Sequence, residues 1–328
     1  LKNNNSRLFF IGMLLGIAIV ISTVSVQKFT ALSESSQNGS PTELPVNNLP
    51  RLIALEPTNV FTRPTQIIVP TLSTKPDLTA TMTSSDPTVT PLYLANEQKP
   101  EIIGYSVNGL PLDLYTFGSG QHERMIVAGI HGGDEWNTVT LANQLIIHIN
   151  KYPNTIPDDI TLYILRDLNP DGEARAHNKY GRMNSNGVDL NRNFPVNWQA
   201  DWDRSGCWNY LPTTGGSIAG SEPETQALLN FIKSHNIEVL ISYHSAALGI
   251  FPGGNPWDEN SIRLAQSIAE VSPYPFPPID TGCKYSGTLA DYAASQGIAA
   301  VDLELTNHID TDFSTNLDIL GILLTWQP

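Results

Sequence analysis

Four apolar runs of strand length, each later followed by a segment with helical spacing, constrain this chain most. "RMIVAGI" precedes "WNTVTLANQLIIHI", "ITLYILRDL" precedes "SEPETQALLNFIKSH", "IEVLISYHS" precedes "SIRLAQSIAEV", and "AAVDLEL" precedes "NLDILGILLTW". Apolar runs of this length, rich in branched residues and alternating with helices, make a central sheet covered on both faces. The expected fold class is α/β, with a mixed, mostly parallel, twisted central sheet flanked by helices. "EIIGYSV" and "LDLYTF", around the turn "NGLP", add two short strands in front. Ser221, Pro223 and Glu224 read as N-cap, first-turn proline and capping-box acid of a helix. Sites in such sheets lie outside the carboxyl ends of the strands. The polar residues expected there are His131, the loop opening at Asn169, His244 and Glu304.

Everything before residue 101 reads differently. Residues 8–26, "LFFIGMLLGIAIVISTVSV", carry no charge and follow Lys2 and Arg7. At about 1.5 Å per residue such a helix nearly crosses a hydrocarbon core of roughly 30 Å. The preceding positive charge keeps its N-terminus cytoplasmic and sends the rest outside. Residues 1–26 are therefore expected to be a membrane anchor or a cleaved signal segment. Residues 27–100 hold ten of the 24 prolines and are dense in Ser and Thr, with no apolar period. This stretch is expected to be an extended stalk, because it cannot bury enough surface to offset its ordering entropy. Residues 101–328 are expected to be the folded domain. The net charge of -14 offers no basic face for nucleic acid, so no nucleic-acid partner is expected. Cys207 and Cys283 could pair outside the cytoplasm, with two unpaired thiols as the alternative.

Several polar groups call for chemistry. His131 ends a strand, Glu135 follows four residues later where a helix begins, and His244 ends another strand. Two histidines and a glutamate are a standard donor set for a catalytic zinc, which keeps one position open. Each histidine alone could equally be a hydrogen-bonded loop residue. "RMNSNGVDLNRNFP", residues 182–195, places Arg182 and Arg192 among turn-forming asparagines. Such a loop either solvates its arginines or binds a carboxylate through paired N–H groups. Glu304 sits near the end of an apolar strand, with Asp302 two residues before it on the same face. A buried acid needs a partner or a task, and proton transfer beside a metal-bound water is one such task.

In order along the chain, "GIHGGDEW", "NPDG", "RMNSNGVDLNRNF", "SYHS" and "DLEL" resemble the zinc metallocarboxypeptidase (carboxypeptidase A-like) family across residues 101–328. The resemblance implies a carboxypeptidase-like sheet of about eight strands and one Zn2+ per domain. It implies that His131, Glu135 and His244 are the metal ligands, with Asp134 an open alternative to Glu135. The family's usual spacing puts the acid three residues after the histidine, where Asp134 stands. It implies Arg182 as oxyanion stabiliser, Asn191 and Arg192 as binders of the substrate's terminal carboxylate, Glu304 as general base and Tyr285 as a mobile residue closing over substrate. The function implied is hydrolysis of the C-terminal peptide bond of peptides, by an extracytoplasmic enzyme that is membrane-anchored or secreted. The alternatives are a peptidoglycan peptidase cutting γ-D-glutamyl-diamino acid bonds, a non-catalytic peptide-binding module, and a zinc amidohydrolase acting on a small acylated amino acid.

Overall fold

A computed structural model describes residues 98–327. The expected anchor, and all but the last three residues of the expected stalk, lie outside the described residues. Among the described residues no helix is long and apolar enough to cross a membrane.

The core is one sheet of seven strands. They are β1 (Glu101–Tyr105), β2 (Pro111–Gly118), β3 (His122–Val127), β4 (Ile160–Leu165), β5 (Ile237–Ser245), β6 (Ile250–Pro252) and β7 (Ala299–Leu305). Their order across the sheet is β1-β2-β4-β3-β5-β7-β6. The four central strands β4, β3, β5 and β7 run parallel, and antiparallel partners close both edges. Seven strands are one fewer than the resemblance implies. The three-residue β6 carries no periodic signal of its own and forms only by pairing with β7.

Among the described residues five helices cover the sheet, α1 (Trp136–Lys151), α3 (Pro223–Ser234), α4 (Glu259–Val271), α5 (Leu289–Ser295) and α6 (Phe313–Thr325), while the short α2 (Pro170–Arg175) packs on the turn Gly132–Glu135. Strand alternation sorts the core into two layers. Ile126, Ile241 and Val301 face α1, α4 and α6, whereas Met125, Leu240 and Ala300 face α3 and α5. In α1, Val139, Leu141, Ala142, Leu145, Ile146 and Ile149 recur at helical spacing and are buried. Each large one contributes roughly 1.5–3 kcal/mol of transfer free energy.

Helix α3 begins one residue later than its capping motif predicts. Glu222, not Ser221, occupies the cap, and no side chain caps the helix. The Ser221 hydroxyl donates to Glu222 instead. Glu224 accepts from the Val107 N–H and the Asn184 amide, so tertiary partners displace the local capping box.

A fully buried arginine ties the sheet to the last helix. Arg124 on β3 donates from Nε to the Leu323 carbonyl (3.2 Å) and from a terminal nitrogen to the Trp326 carbonyl (3.1 Å). Its other terminal nitrogen pairs with Glu238 on β5. It thereby satisfies carbonyls that the end of α6 leaves without helical partners.

Candidate metal centre and active site

The site is assembled where β3, β5 and β7 end. After β3 the chain turns through Gly129 (φ 65°) and Gly132 (φ 43°). A side chain at Gly132 would meet the Asn169 carbonyl oxygen at 2.7 Å, so this left-handed turn admits only glycine. A single 3-10 turn, Gly132–Glu135, follows and leads into α1. The extra residue relative to the family spacing is absorbed here. Glu135 swings back so that Oε1 lies 2.7 Å from His131 Nδ1. Asp134 remains partly exposed, 3.9 Å from Arg182, and is not in the cluster.

On the other side, β5 and β7 pair in parallel with Ser242 opposite Asp302 and His244 opposite Glu304. All four lie on the face of Leu240 and Ala300, because they alternate in step with them. His244 Nδ1 lies 3.1 Å from Glu135 Oε2 and 3.2 Å from His131 Nδ1. One donor atom from each of His131, Glu135 and His244 falls within a group no wider than 4.8 Å, and all three residues are buried.

The outer nitrogens of both rings are occupied. His131 Nε2 lies 3.1 Å from Asp189 Oδ1. His244 Nε2 faces Ser242 Oγ at 3.1 Å and Asp302 Oδ1 at 3.5 Å. Carboxylates behind imidazoles turn the opposite nitrogens inward and make them better ligands. Two ring nitrogens facing each other beside a carboxylate are what a cation between them would organise.

The charge balance agrees. Glu135, Asp189, Asp302 and Glu304 gather around only two guanidiniums, Arg182 and Arg192. Burial opposes charge on Glu135, but His131 and His244 outweigh it and hold the carboxyl well below the usual range. Burial likewise opposes charge on His244, yet Asp302 and Glu135 push it up to about 10. This pocket draws positive charge toward its centre. A buried His2Glu donor set with oriented imidazoles suits zinc.

All eight residues expected at the site line one cleft of about 1520 Å³. Arg182 is buried between Glu135 Oε1 and Asp189 Oδ2, each 3.1 Å away, and lies over the ring of Trp208. Arg192 donates to the Asn191 carbonyl, packs between Trp202 and Tyr285, and keeps a buried Nε with no partner. Burial lowers its pKa from the ordinary arginine value. Tyr285 meets Phe251 edge-on. Glu304 keeps a buried Oε2 with no partner. Its carboxyl is pushed up to about 8, first by burial and then by the charge of Glu135.

Asn191 is the expected residue whose geometry differs most from its implied role. Its Oδ1 accepts the Leu289 N–H (2.8 Å), and its Nδ2 is spent on Asp302 (3.1 Å) and His244 (3.3 Å). It fastens the walls of the site, which leaves Arg192 as the member of the pair with a free donor.

Three contributors escaped sequence reasoning. Asp189 sits inside "GVDLNRNF" and orients His131, and its adjacency to that ring was the missing information. Ser242 precedes His244 by two residues, the strand period, which could have signalled a shared face. Trp208 gave no signal. It reaches Arg182 from a loop fastened by the disulfide Cys207–Cys283.

Residues 94–314 match the family described as zinc carboxypeptidase. The chain belongs to the zinc carboxypeptidase family. Among relatives, it is 27% identical over 236 residues to the Escherichia coli murein peptide amidase A, which covers 70% of this chain and 90% of that protein. It is 29% identical over 242 residues to the Rattus norvegicus mast cell carboxypeptidase A, with 62% of this chain and 58% of that protein covered. A crystal structure of the Escherichia coli O157 murein-tripeptide amidase MpaA aligns at 27% identity and a TM-score of 0.52, covering 70% of this chain and 93% of that one. Bovine thrombin-activatable fibrinolysis inhibitor aligns with a TM-score of 0.55 at 18% identity, over 70% of this chain and 89% of that one, a likeness of fold. The protein is a zinc metallopeptidase of this family, and His131, Glu135 and His244 are the donors that fit its metal.

Proposed function

We propose that this enzyme removes single residues from the free C-terminus of peptides, using His131, Glu135 and His244 as zinc ligands and Glu304 as general base. The observation that carries this reading is the buried, unpartnered Oε2 of Glu304, a residue one strand across from His244 that lines the same cleft. When bound, zinc polarises a carbonyl and eases deprotonation of water.

The chain's own residues supply the rest. Arg192, with its free Nε, takes the substrate's terminal carboxylate, which restricts the enzyme to chain ends. Arg182 offers positive charge beside the metal ligands, where charge on the carbonyl oxygen develops during attack. Glu304 takes the proton of the attacking water and returns it to the leaving amine. Asp189 and Asp302 hold the two imidazoles in the orientation that directs Nδ1 inward. Tyr285 and Trp208 line the cleft from two loops that the disulfide joins.

The test is mass spectrometry of a peptide panel incubated with the zinc-loaded protein. Single-residue loss from free but not amidated C-termini is expected, with Glu304→Gln at least a thousandfold slower and still binding zinc. Equal activity in that variant would remove Glu304 from the mechanism.

A second reading is a wall-peptide amidase cutting γ-D-glutamyl-diamino acid bonds, and the likeness to murein peptide amidase A favours it. A γ-D-glutamyl-diaminopimelate peptide belongs in the panel, and its exclusive cleavage would shift the function there. We read the enzyme as extracytoplasmic, held by residues 8–26 or released after their cleavage. The charge order around that segment and a disulfide, which persists in oxidising compartments, support this reading. Protease added to intact cells should digest the domain, and full protection would overturn the orientation.

A further inference from the structure

Residues 306–312, between β7 and α6, form a loop held at several points. Asp312 Oδ2 accepts the Thr306 N–H at 2.9 Å, and Asn307 Oδ1 accepts the N–H groups of Ile309 and Asp310, each at 2.7 Å. Asn137, buried near the start of α1, donates from Nδ2 to the carbonyls of Asn307 (2.7 Å) and Asp310 (2.9 Å). Of this loop, His308 is the residue that lines the cleft.

The hydrogen bonds fix which ring nitrogen of His308 carries the proton. Carbonyls only accept, so the Asn137 amide points its nitrogen at them and leaves Oδ1 as an acceptor. The Ser245 hydroxyl gives its single proton to that Oδ1, 3.0 Å away. Toward His308 Nδ1, at 3.1 Å, the same hydroxyl has only lone pairs to offer. Nδ1 is therefore the N–H donor, and Nε2 of the neutral ring is a bare acceptor. Among the described residues no group hydrogen-bonds this Nε2.

The same contacts place His308 relative to the reaction. The Ser245 N–H donates to Glu135 Oε2 at 3.2 Å, so a single residue separates His308 from the ligand cluster. Arg192 is enclosed by Asn191, Trp202 and Tyr285 and shares no partner with His308. With the terminal carboxylate at Arg192 and the scissile carbonyl at the cluster, His308 borders the part of the cleft left for the acyl side.

We propose that His308 Nε2 accepts a backbone N–H of the substrate on the acyl side of the scissile bond, within the two residues before it. This rests on the carboxypeptidase reading and adds a binding residue for the part of the substrate that remains after cleavage. It makes the enzyme prefer a peptidyl group over a simple acyl group, because an acyl group without that N–H leaves Nε2 unmet.

The experiment uses the full zinc-loaded protein and three peptides of one sequence. One is the parent, and in the other two an ester oxygen replaces the N–H of the penultimate or the antepenultimate residue. An ester oxygen offers Nε2 only lone pairs. For the wild type and His308→Leu, kcat/KM is measured on all three. One of the two replacements is expected to cost the wild type about tenfold, chiefly through KM, and that ratio is expected to fall to about one in the variant. His308 is exposed, so the variant is expected to fold, with zinc content and melting temperature as the check. Calorimetry of the same peptides on Glu304→Gln, with and without His308→Leu, is expected to show the same ratios in affinity. No cost from either replacement, or equal costs in wild type and variant, would overturn the proposal. If no peptide is cleaved but calorimetry shows the ratio and its loss, the role of His308 stands and the carboxypeptidase reading falls. No binding of the parent peptide would sink both.

Discussion

At the scale of single residues, the choice between Asp134 and Glu135 has a physical answer. Glu135 is buried between two imidazoles, whereas Asp134 is partly exposed beside Arg182. Glu135→Gln should therefore lose zinc affinity by at least a hundredfold, and Asp134→Asn should stay within a few-fold, by competition with a chelating dye. Equal losses would mean that the turn Gly132–Glu135 rearranges when metal binds. Asp167 permits a prediction away from the site. Its carboxyl is pushed up to about 7, chiefly by burial, with Glu173 and Asp113 adding to this and Arg166 opposing it. The folded state therefore holds a proton that the unfolded chain releases near its ordinary value. The stability this gives is complete below about pH 4 and lost as pH rises through about 7, an effect of roughly 4 kcal/mol at about 1.4 kcal/mol per unit. Asp167→Asn should melt above the wild type at pH 8 and lose that advantage progressively down to about pH 4. A difference in melting temperature that does not change with pH would show that Asp167 stays ionised in the folded protein.

At the scale of elements, α6 depends on a side chain from a strand about two hundred residues earlier. Arg124 is fully buried and its guanidinium serves two carbonyls at the end of α6 and Glu238 on β5. Arg124→Met keeps much of the volume but leaves those carbonyls without their donor and Glu238 with His122 alone as its charged partner. Losing one partner of such a network costs about 3–5 kcal/mol. Urea denaturation should report a loss of that order, while zinc binding at the remote strand ends persists. A change below about 1 kcal/mol would mean that water replaces the guanidinium. The start of α3 teaches the same lesson in reverse. Ser221, Pro223 and Glu224 form a strong local start signal, and the helix exists. Yet Glu224 is drawn to Val107 and Asn184, so the cap moves by one residue.

At the scale of the molecule, the disulfide Cys207–Cys283 joins two long loops that both line the cleft. Closing a loop of that length, 76 residues apart in sequence, restricts the unfolded chain by roughly 4 kcal/mol in the chain-entropy account. Replacing both cysteines with serine should lower the melting temperature by several degrees. It should also raise KM, because Tyr285 and Trp208 lie within two residues of the bridge. A lower melting temperature with unchanged KM would confine the bond to a stabilising role. Much of this architecture was legible in advance. Alternating strand and helix periods are local properties, and they were enough to order four central strands with helices between them and to set His131, His244 and Glu304 at strand ends. The metal donors were legible because histidine and glutamate at such ends have few other uses in combination. What the sequence alone could not hold is information about who stands next to whom. The β6 strand exists only because β7 offers it an edge. Asp189 and Ser242 matter only because the imidazoles reach them, and Asn191 is spent inside the protein because Asp302 and Leu289 lie within its reach. Chain periodicity thus determined the layers and the candidate donors. The tertiary structure decided the partners of each polar group, because hydrogen bonds and charge balance depend on distances of about 3 Å between residues far apart in the chain.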